Sequence, residues 1–267
     1  MEIETADQPN ELMPAGRGPW FPGHVIGGVA LIVGPTLWAL GLTLRWWARS
    51  AAEFSPALRK HFDEQPFAAP AELAAYASEP ALVTAGYALF VAGGLVMWPA
   101  VATLAQIVAP RSPRLAQWGG VLLILGLFAR LYHAGVDYTA FQLTEVQGLA
   151  AATDAVMTEY VDISYGPWNI PVIAAAGQYV GGLLLAIGAY RSGTFGLGRS
   201  LLLVYWATLW AGVLKSSDVF EGPSAATLCF ACLPLGVQIL RGQQPRDMRE
   251  GNRPASMRGR YLRWLSW

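Results

Sequence analysis

LAQWGGVLLILGLFARLYHAGVDYTAFQL, residues Leu115 to Leu143, is long and apolar enough to cross a bilayer as one helix, which takes ~20 residues at 1.5 Å each. It nevertheless carries Arg130, His133 and Asp137. An ionisable group in hydrocarbon costs at least ~2.5 to 3.5 kcal/mol on insertion scales, so three in one span have either neutralising partners or chemistry to perform. Their spacings of three and four put them on one helical stripe, with Gln142 carrying the stripe outward. That stripe is expected to face the protein interior. His133 and Asp137 are within i,i+4 reach, but Arg130 and Asp137 stand about 10 Å apart along the axis and cannot pair directly. Arg130 therefore requires a carboxylate, or several carbonyls, from another helix.

The rest of the chain has the composition of a membrane protein. Hydrophobic residues make up 54% and charged residues 13%, where soluble domains carry about 25% charged residues. Mean hydropathy is +0.36. Six segments read as spans: His24 to Leu44, Pro80 to Val108, Leu115 to Leu143, Trp168 to Tyr190, Leu201 to Lys215 and Pro223 to Leu240. The fifth is the shortest, and five or seven elements also fit the pattern. The expected fold is an all-α polytopic bundle over residues 21–241, between a disordered polar tail (1–20) and a basic, aromatic tail (242–267). Residues 1–18 lack a basic n-region, and the first span ends in RWWAR with no small-residue cleavage site, so it is expected to stay as a helix.

Lysine and arginine enrichment in short cytoplasmic loops orients the spans. Arg111 and Arg114, Arg191 and Arg199, and the arginine-rich tail after Leu240 share one face of a six-span topology, which puts both termini in the cytoplasm and the protein in the inner (plasma) membrane. The loop 144–167 on the other face has no Lys or Arg but holds Glu145, Asp154, Glu159 and Asp162. Arg45, Arg49, Arg59 and Lys60 run against this rule, because they fall in the connection from Arg45 to Glu79. Within it, residues 51–78 alternate apolar and charged groups, and Leu58 and Phe62 define a short amphipathic helix that serves as a collar or a lid. The formal net charge of zero argues against nucleic acid as a partner. The basic tail suits anionic headgroups or a topological anchor.

Cys229 and Cys232 form CFAC in the sixth span, and packing is favoured over redox for them. No spacing among the 3 histidines argues for zinc, iron or haem, so no metal or other cofactor is implied. Gly177 with Gly181, Gly93 with Gly94, and Gly27 with Gly28 permit close helix approach. Pro35, Pro99, Pro171 and Pro234 fall in or near spans and can bend them. No internal repeat is visible.

Polar and aromatic groups on the other spans complete a candidate site. Gln178 and Tyr179 lie on the fourth span with Trp168 at its mouth, and LKSSDVFEGP, joining the fifth and sixth, supplies Lys215, Asp218 and Glu221. Tyr132, Tyr138, Phe141, Trp206 and Trp210 belong to the same helices or mouths. Aromatic faces attract positive charge and a desolvated carboxyl keeps its proton until it delivers it, so a water-poor aromatic cavity with acids suits carbocation chemistry. In its hydropathy plan and its acids at helix mouths the chain resembles the small membrane-embedded terpene cyclases, a family built of seven spans. The resemblance implies a hydrophobic or prenylated small-molecule substrate, no metal, and a carboxylic acid as proton donor: Asp137 or Asp218, with Glu221 third, and His133 beside them. Two other classes fit the same residues. One is a proton-coupled or small-molecule transporter or receptor; the other is an accessory protein in which the cluster is an interhelical clamp.

Overall fold

The computed structural model describes residues 21–160, 169–209 and 220–242, and every regular element among them is helical. Five helices are long and apolar enough to cross a membrane: α1 (Gly23–Ala51), α4 (Pro80–Val108), α5 (Pro113–Gln147), α7 (Ile170–Ser192) and α9 (Glu221–Leu240). Between them lie the shorter α2 (Pro56–Asp63), α3 (Ala69–Ser78), α6 (Leu149–Ala155, running on into a wider turn at Val156–Tyr160) and α8 (Leu197–Ala207). The tails and the segments 161–168 and 210–219, with Trp168, Trp210, Lys215 and Asp218, lie outside the described residues.

The spans form where the sequence puts apolar runs, and two of them stop where glycine allows the chain to turn. Gly148 follows α5 at φ 84°, and Gly193 caps α7 in the left-handed region at φ 73°, donating its N–H to the last-turn carbonyls of Ala189 and Tyr190. Pro80, Pro113 and Pro171 occupy first turns, where a missing N–H costs nothing. Pro171 therefore does not bend its span, whereas Pro35, Pro99 and Pro234 lie inside α1, α4 and α9.

Side chains sort by solvent. Val25, Ile26, Val29, Val33 and Leu40 on α1, Trp118, Leu125 and Phe128 on α5, and Ile173, Val180, Leu183 and Ile187 on α7 are exposed apolar stripes. In a bundle with this composition those stripes face lipid tails. The interior faces carry small residues. Lipid offers no hydrophobic drive for helix association, so backbone proximity and dispersion must hold the spans together. α1 packs between α4 and α9, α5 packs on α7 and α4, and α8 leans on α7 and α9. A Cβ on Gly41 would sit 2.5 Å from the Phe90 nitrogen of α4, and one on Gly93 would sit 2.5 Å from the Trp38 nitrogen of α1. Gly177 and Gly181 of α7 meet the backbone of Leu122 and Leu123 of α5 in the same way. Gly181→Leu is thus expected to overpack the α5–α7 contact and cost about 1–3 kcal/mol. Thermal unfolding in detergent reads this, and an unchanged melting temperature would refute the contact.

Several arginines assigned to connections lie inside helices, Arg49 in α1, Arg114 in α5 and Arg191 in α7 among them, and two are buried there. Arg45 is not in a loop: α1 runs on to Ala51, and Arg45 is buried inside it. Arg199 is likewise buried, in the first turn of α8, where its Nε donates to the Ala231 carbonyl at 2.9 Å and its guanidinium lies 4.2 Å from the Phe195 ring centre. The Ala231 carbonyl is within one turn of Pro234, whose ring disturbs the helical bonding there.

α3 is the element that sequence periodicity describes least well. The exposed amphipathic helix expected around Leu58 and Phe62 is α2, opened by Ser55, whose hydroxyl accepts from the Leu58 N–H at 3.2 Å. α3 instead is buried from Ala69 to Tyr76 and sinks into the end of the bundle where α1 ends, α4 begins and α5 runs into α6. That end is called the loop side below, and the opposite one the tail side.

Candidate functional site

Charge is concentrated in the loop-side half and at mid-depth. Arg45 on α1 is 2% exposed and pairs with Glu72 of α3, also 2% exposed, at 3.8 Å. Its guanidinium lies 4.6 Å from the centre of the Tyr87 ring of α4, a cation–π contact in a desolvated setting. Asp137 on α5 and Glu221 at the start of α9 are both buried and within electrostatic reach of Arg45. Five helices thus bring one titratable or aromatic group each to this centre.

Arg130 forms the second half of the array, 2% exposed near the middle of α5. Its Nε donates to Oε1 of Gln178 on α7 at 2.9 Å, and its Nη2 donates to the carbonyl of Leu209. The Gln178 amide donates to the carbonyls of Ala207 and Leu209, each at 3.1 Å. The reason for this arrangement lies in α8. Its 11 residues cover only about 16 Å, roughly half of a ~30 Å hydrocarbon layer, so its last carbonyls emerge at depth where water cannot serve them. Arg130 and Gln178 supply the donors, and the positive guanidinium also matches the negative end of the helix dipole. This fulfils the demand read from the sequence for several carbonyls from another helix. Asp137, Glu221 and Tyr179 are within electrostatic reach of Arg130, which links both halves into one array.

The aromatic groups divide. Phe141 is stacked on Tyr76 of α3 with centroids 4.7 Å apart and meets Tyr87 edge-on at 5.0 Å; Tyr138 approaches Tyr87 at 6.3 Å. These rings wall the side of the array next to Asp137. Tyr132 and Gln142 are exposed on the outside of α5, and half-buried His133 sits between that face and Arg130. Trp206 is fully buried, but in the apolar core against Trp38 at 5.8 Å, where it lines a void of about 20 Å³ with Leu31, Met97, Leu123 and Cys232. That void holds about one water's worth of space and has only apolar walls.

Arg45, Glu72 and Tyr87 are members that sequence reading passed over. Arg45 was assigned to a connection because a positive charge closes most spans, although Leu42, Arg45 and Ala48 continue one buried face of α1. Glu72 is the one charge in the apolar stretch APAELAAYA, the signal that could have marked it. Glu145, at the loop-side end of α5, accepts a hydrogen bond from the Tyr76 hydroxyl. Burial, then this carboxylate, pushes the Tyr76 phenol up to about 12. The hydroxyl therefore remains a donor, and this contribution to stability is complete below pH ~10 and lost as pH rises through about 12.

Among the described residues no group of three or more His, Cys, Asp or Glu side chains is placed to hold a metal ion. The two cysteines are free thiols, Cys232 buried in the core and Cys229 half-buried. Comparison with known protein families, curated proteins and solved structures finds no match for this chain.

Proposed function

We propose that the protein is a multi-pass membrane protein of the transporter or receptor kind, in which the buried array takes up a proton or a small cationic ligand exchanged with one. The observation that supports this reading is a cluster of buried ionisable groups drawn from several helices. Among the described residues two arginines, Arg45 and Arg130, and three carboxyls, Glu72, Asp137 and Glu221, are buried together. The remaining buried arginine among the described residues, Arg199, is committed to Ala231 and Phe195 on the tail side. Ionisable groups kept inside a membrane bundle mark proton and ion pathways, and a buried carboxyl is the group that takes up and releases a proton there. Glu72 pairs with Arg45, and Asp137 or Glu221 is the carrier in this reading. A helix that stops at mid-depth beside these groups is the kind of irregular backbone tolerated where a bundle handles ions. In this reading the loop side faces away from the cytoplasm, as the absence of Lys and Arg from the acidic stretch 144–167 implies; the expected loop there is helical over most of its described residues.

Proteoliposomes loaded with a pH-sensitive dye, with a potassium gradient and valinomycin setting the potential, test the proposal. Wild-type protein is expected to acidify the lumen faster than empty vesicles, and Asp137→Asn or Glu221→Gln to slow the flux at least about tenfold with an unaltered gel-filtration profile. Wild-type flux equal to that of empty vesicles would refute it. A second reading rests on Tyr87, Tyr138 and Phe141 beside Asp137: a proton-donating cyclase of prenylated compounds. In that case a farnesylated phenol would lose an olefinic signal by NMR in the presence of the protein. Against it, one face of the Tyr87 ring is already taken by the Arg45 guanidinium.

A further inference from the structure

We infer that α3 is a removable plug that closes the array on the loop side, a regulation of the site proposed above that rests on that reading. The helix has no membrane-spanning length, only 10 residues, yet it is buried from Ala69 to Tyr76 against α1, α4, α5 and α6. Five of its residues are alanine, so each turn anchors little apolar area compared with a leucine-rich helix. Specific contacts hold it instead. Glu72 reaches inward to Arg45, and one turn later Tyr76 stacks on Phe141 and donates to Glu145. Both fasten the plug to the helices that carry the array.

The arm that leads into α3 starts in a helix held to the bundle only lightly. α2 has no buried residue, and its contacts with α3 are slight. On the other side the helical path is broken at Glu79, at φ −131° and ψ 59°, before α4 starts at Pro80. Withdrawal of α3 opens the apolar cluster that it shares with Ala140 and Phe141 of α5 and Tyr87 of α4, and uncovers the Phe141 ring on which Tyr76 stacks; Asp137 is within electrostatic reach of Tyr87. The charge that neutralises Arg45 leaves with it, so opening also changes the array's charge balance by one unit. A ligand or proton entering from the loop side then meets Arg45, Asp137 and Glu221 without Glu72.

Cysteine accessibility of the full chain in nanodiscs tests this with no need for transport. Ala140→Cys is placed in a Cys229→Ala background, with the buried native Cys232 as internal control, and a charged maleimide is the probe. Labelling at position 140 is expected to be slow, and to accelerate about tenfold on adding Tyr76→Phe or Glu72→Ala, with Cys232 still protected. Tyr76→Phe keeps the Arg45–Glu72 pair and so separates unlatching from the cost of a stranded charge. Unchanged labelling at 140 in both variants would overturn the plug, and so would equal acceleration at 140 and at Cys232, which marks a general loosening. Faster labelling without proton flux in the vesicle assay would keep the plug and remove the proton reading; proton flux with unaltered labelling would do the reverse.

Discussion

Arg45→Met is expected to destabilise the bundle by about 3–5 kcal/mol, the largest single effect among substitutions in the array. The loss does not measure what the ion pair contributes. Desolvating two charges offsets most of their attraction, and the cost comes from leaving Glu72 in the interior without its guanidinium. The double variant Arg45→Met/Glu72→Leu removes both charges and keeps the volume, and is expected to recover most of the stability or exceed it. Thermal unfolding of both variants in one detergent checks this pair of outcomes. A double variant as unstable as the single one would mean that Arg45 acts chiefly through Tyr87 and the acids of the array. Glu72→Leu alone strands Arg45 and is expected to behave like Arg45→Met.

Arg130→Met carries the second large effect. It removes the donor to Leu209 and to Gln178, and a buried acceptor left unmade costs about 1–3 kcal/mol, so a total of about 3 kcal/mol is expected. Arg130→Lys separates charge from geometry. An ammonium keeps the charge opposite Asp137 and Glu221 but lacks the planar fork that reaches a side-chain oxygen and a backbone carbonyl together. It is expected to retain about half of the stability lost by Arg130→Met, and proton flux with it. Equal losses in both variants would show that fork geometry alone matters. Gln178→Leu removes both amide donors to the end of α8 and is expected to unfasten Ala207 and Leu209 without changing the charge of the array.

The bundle was legible in the sequence because bilayer thickness imposes a length on apolar runs. Pro80 to Val108 coincides with α4, and the other spans differ from their helices by a few residues at the ends. The fifth span is half a helix in the described residues because α8 ends where Arg130 and Gln178 receive it, a tertiary event with no local hydropathy signal. The inward direction of Arg130 and Asp137 was legible from the cost of charge in hydrocarbon. Gln142 was placed on that stripe by proximity in sequence, although a step of five from Asp137 turns it away, and Tyr132, expected to line the site, is exposed for the same reason. Arg45 and Glu72 were illegible singly, since each looks like an ordinary loop charge. Only their pairing across residues 45 and 72 explains why a positive charge sits on the side that topology rules assign to acids.

Infrared difference spectroscopy of carboxyl groups tests the proposed buried proton carrier most directly. The account predicts that at neutral pH the membrane-embedded protein shows the carbonyl stretch of one protonated, water-shielded carboxylic acid, and that Asp137→Asn or Glu221→Gln abolishes it while Asp154→Asn leaves it in place. A spectrum with no protonated carboxyl, or one whose band persists in both Asp137→Asn and Glu221→Gln, would contradict it.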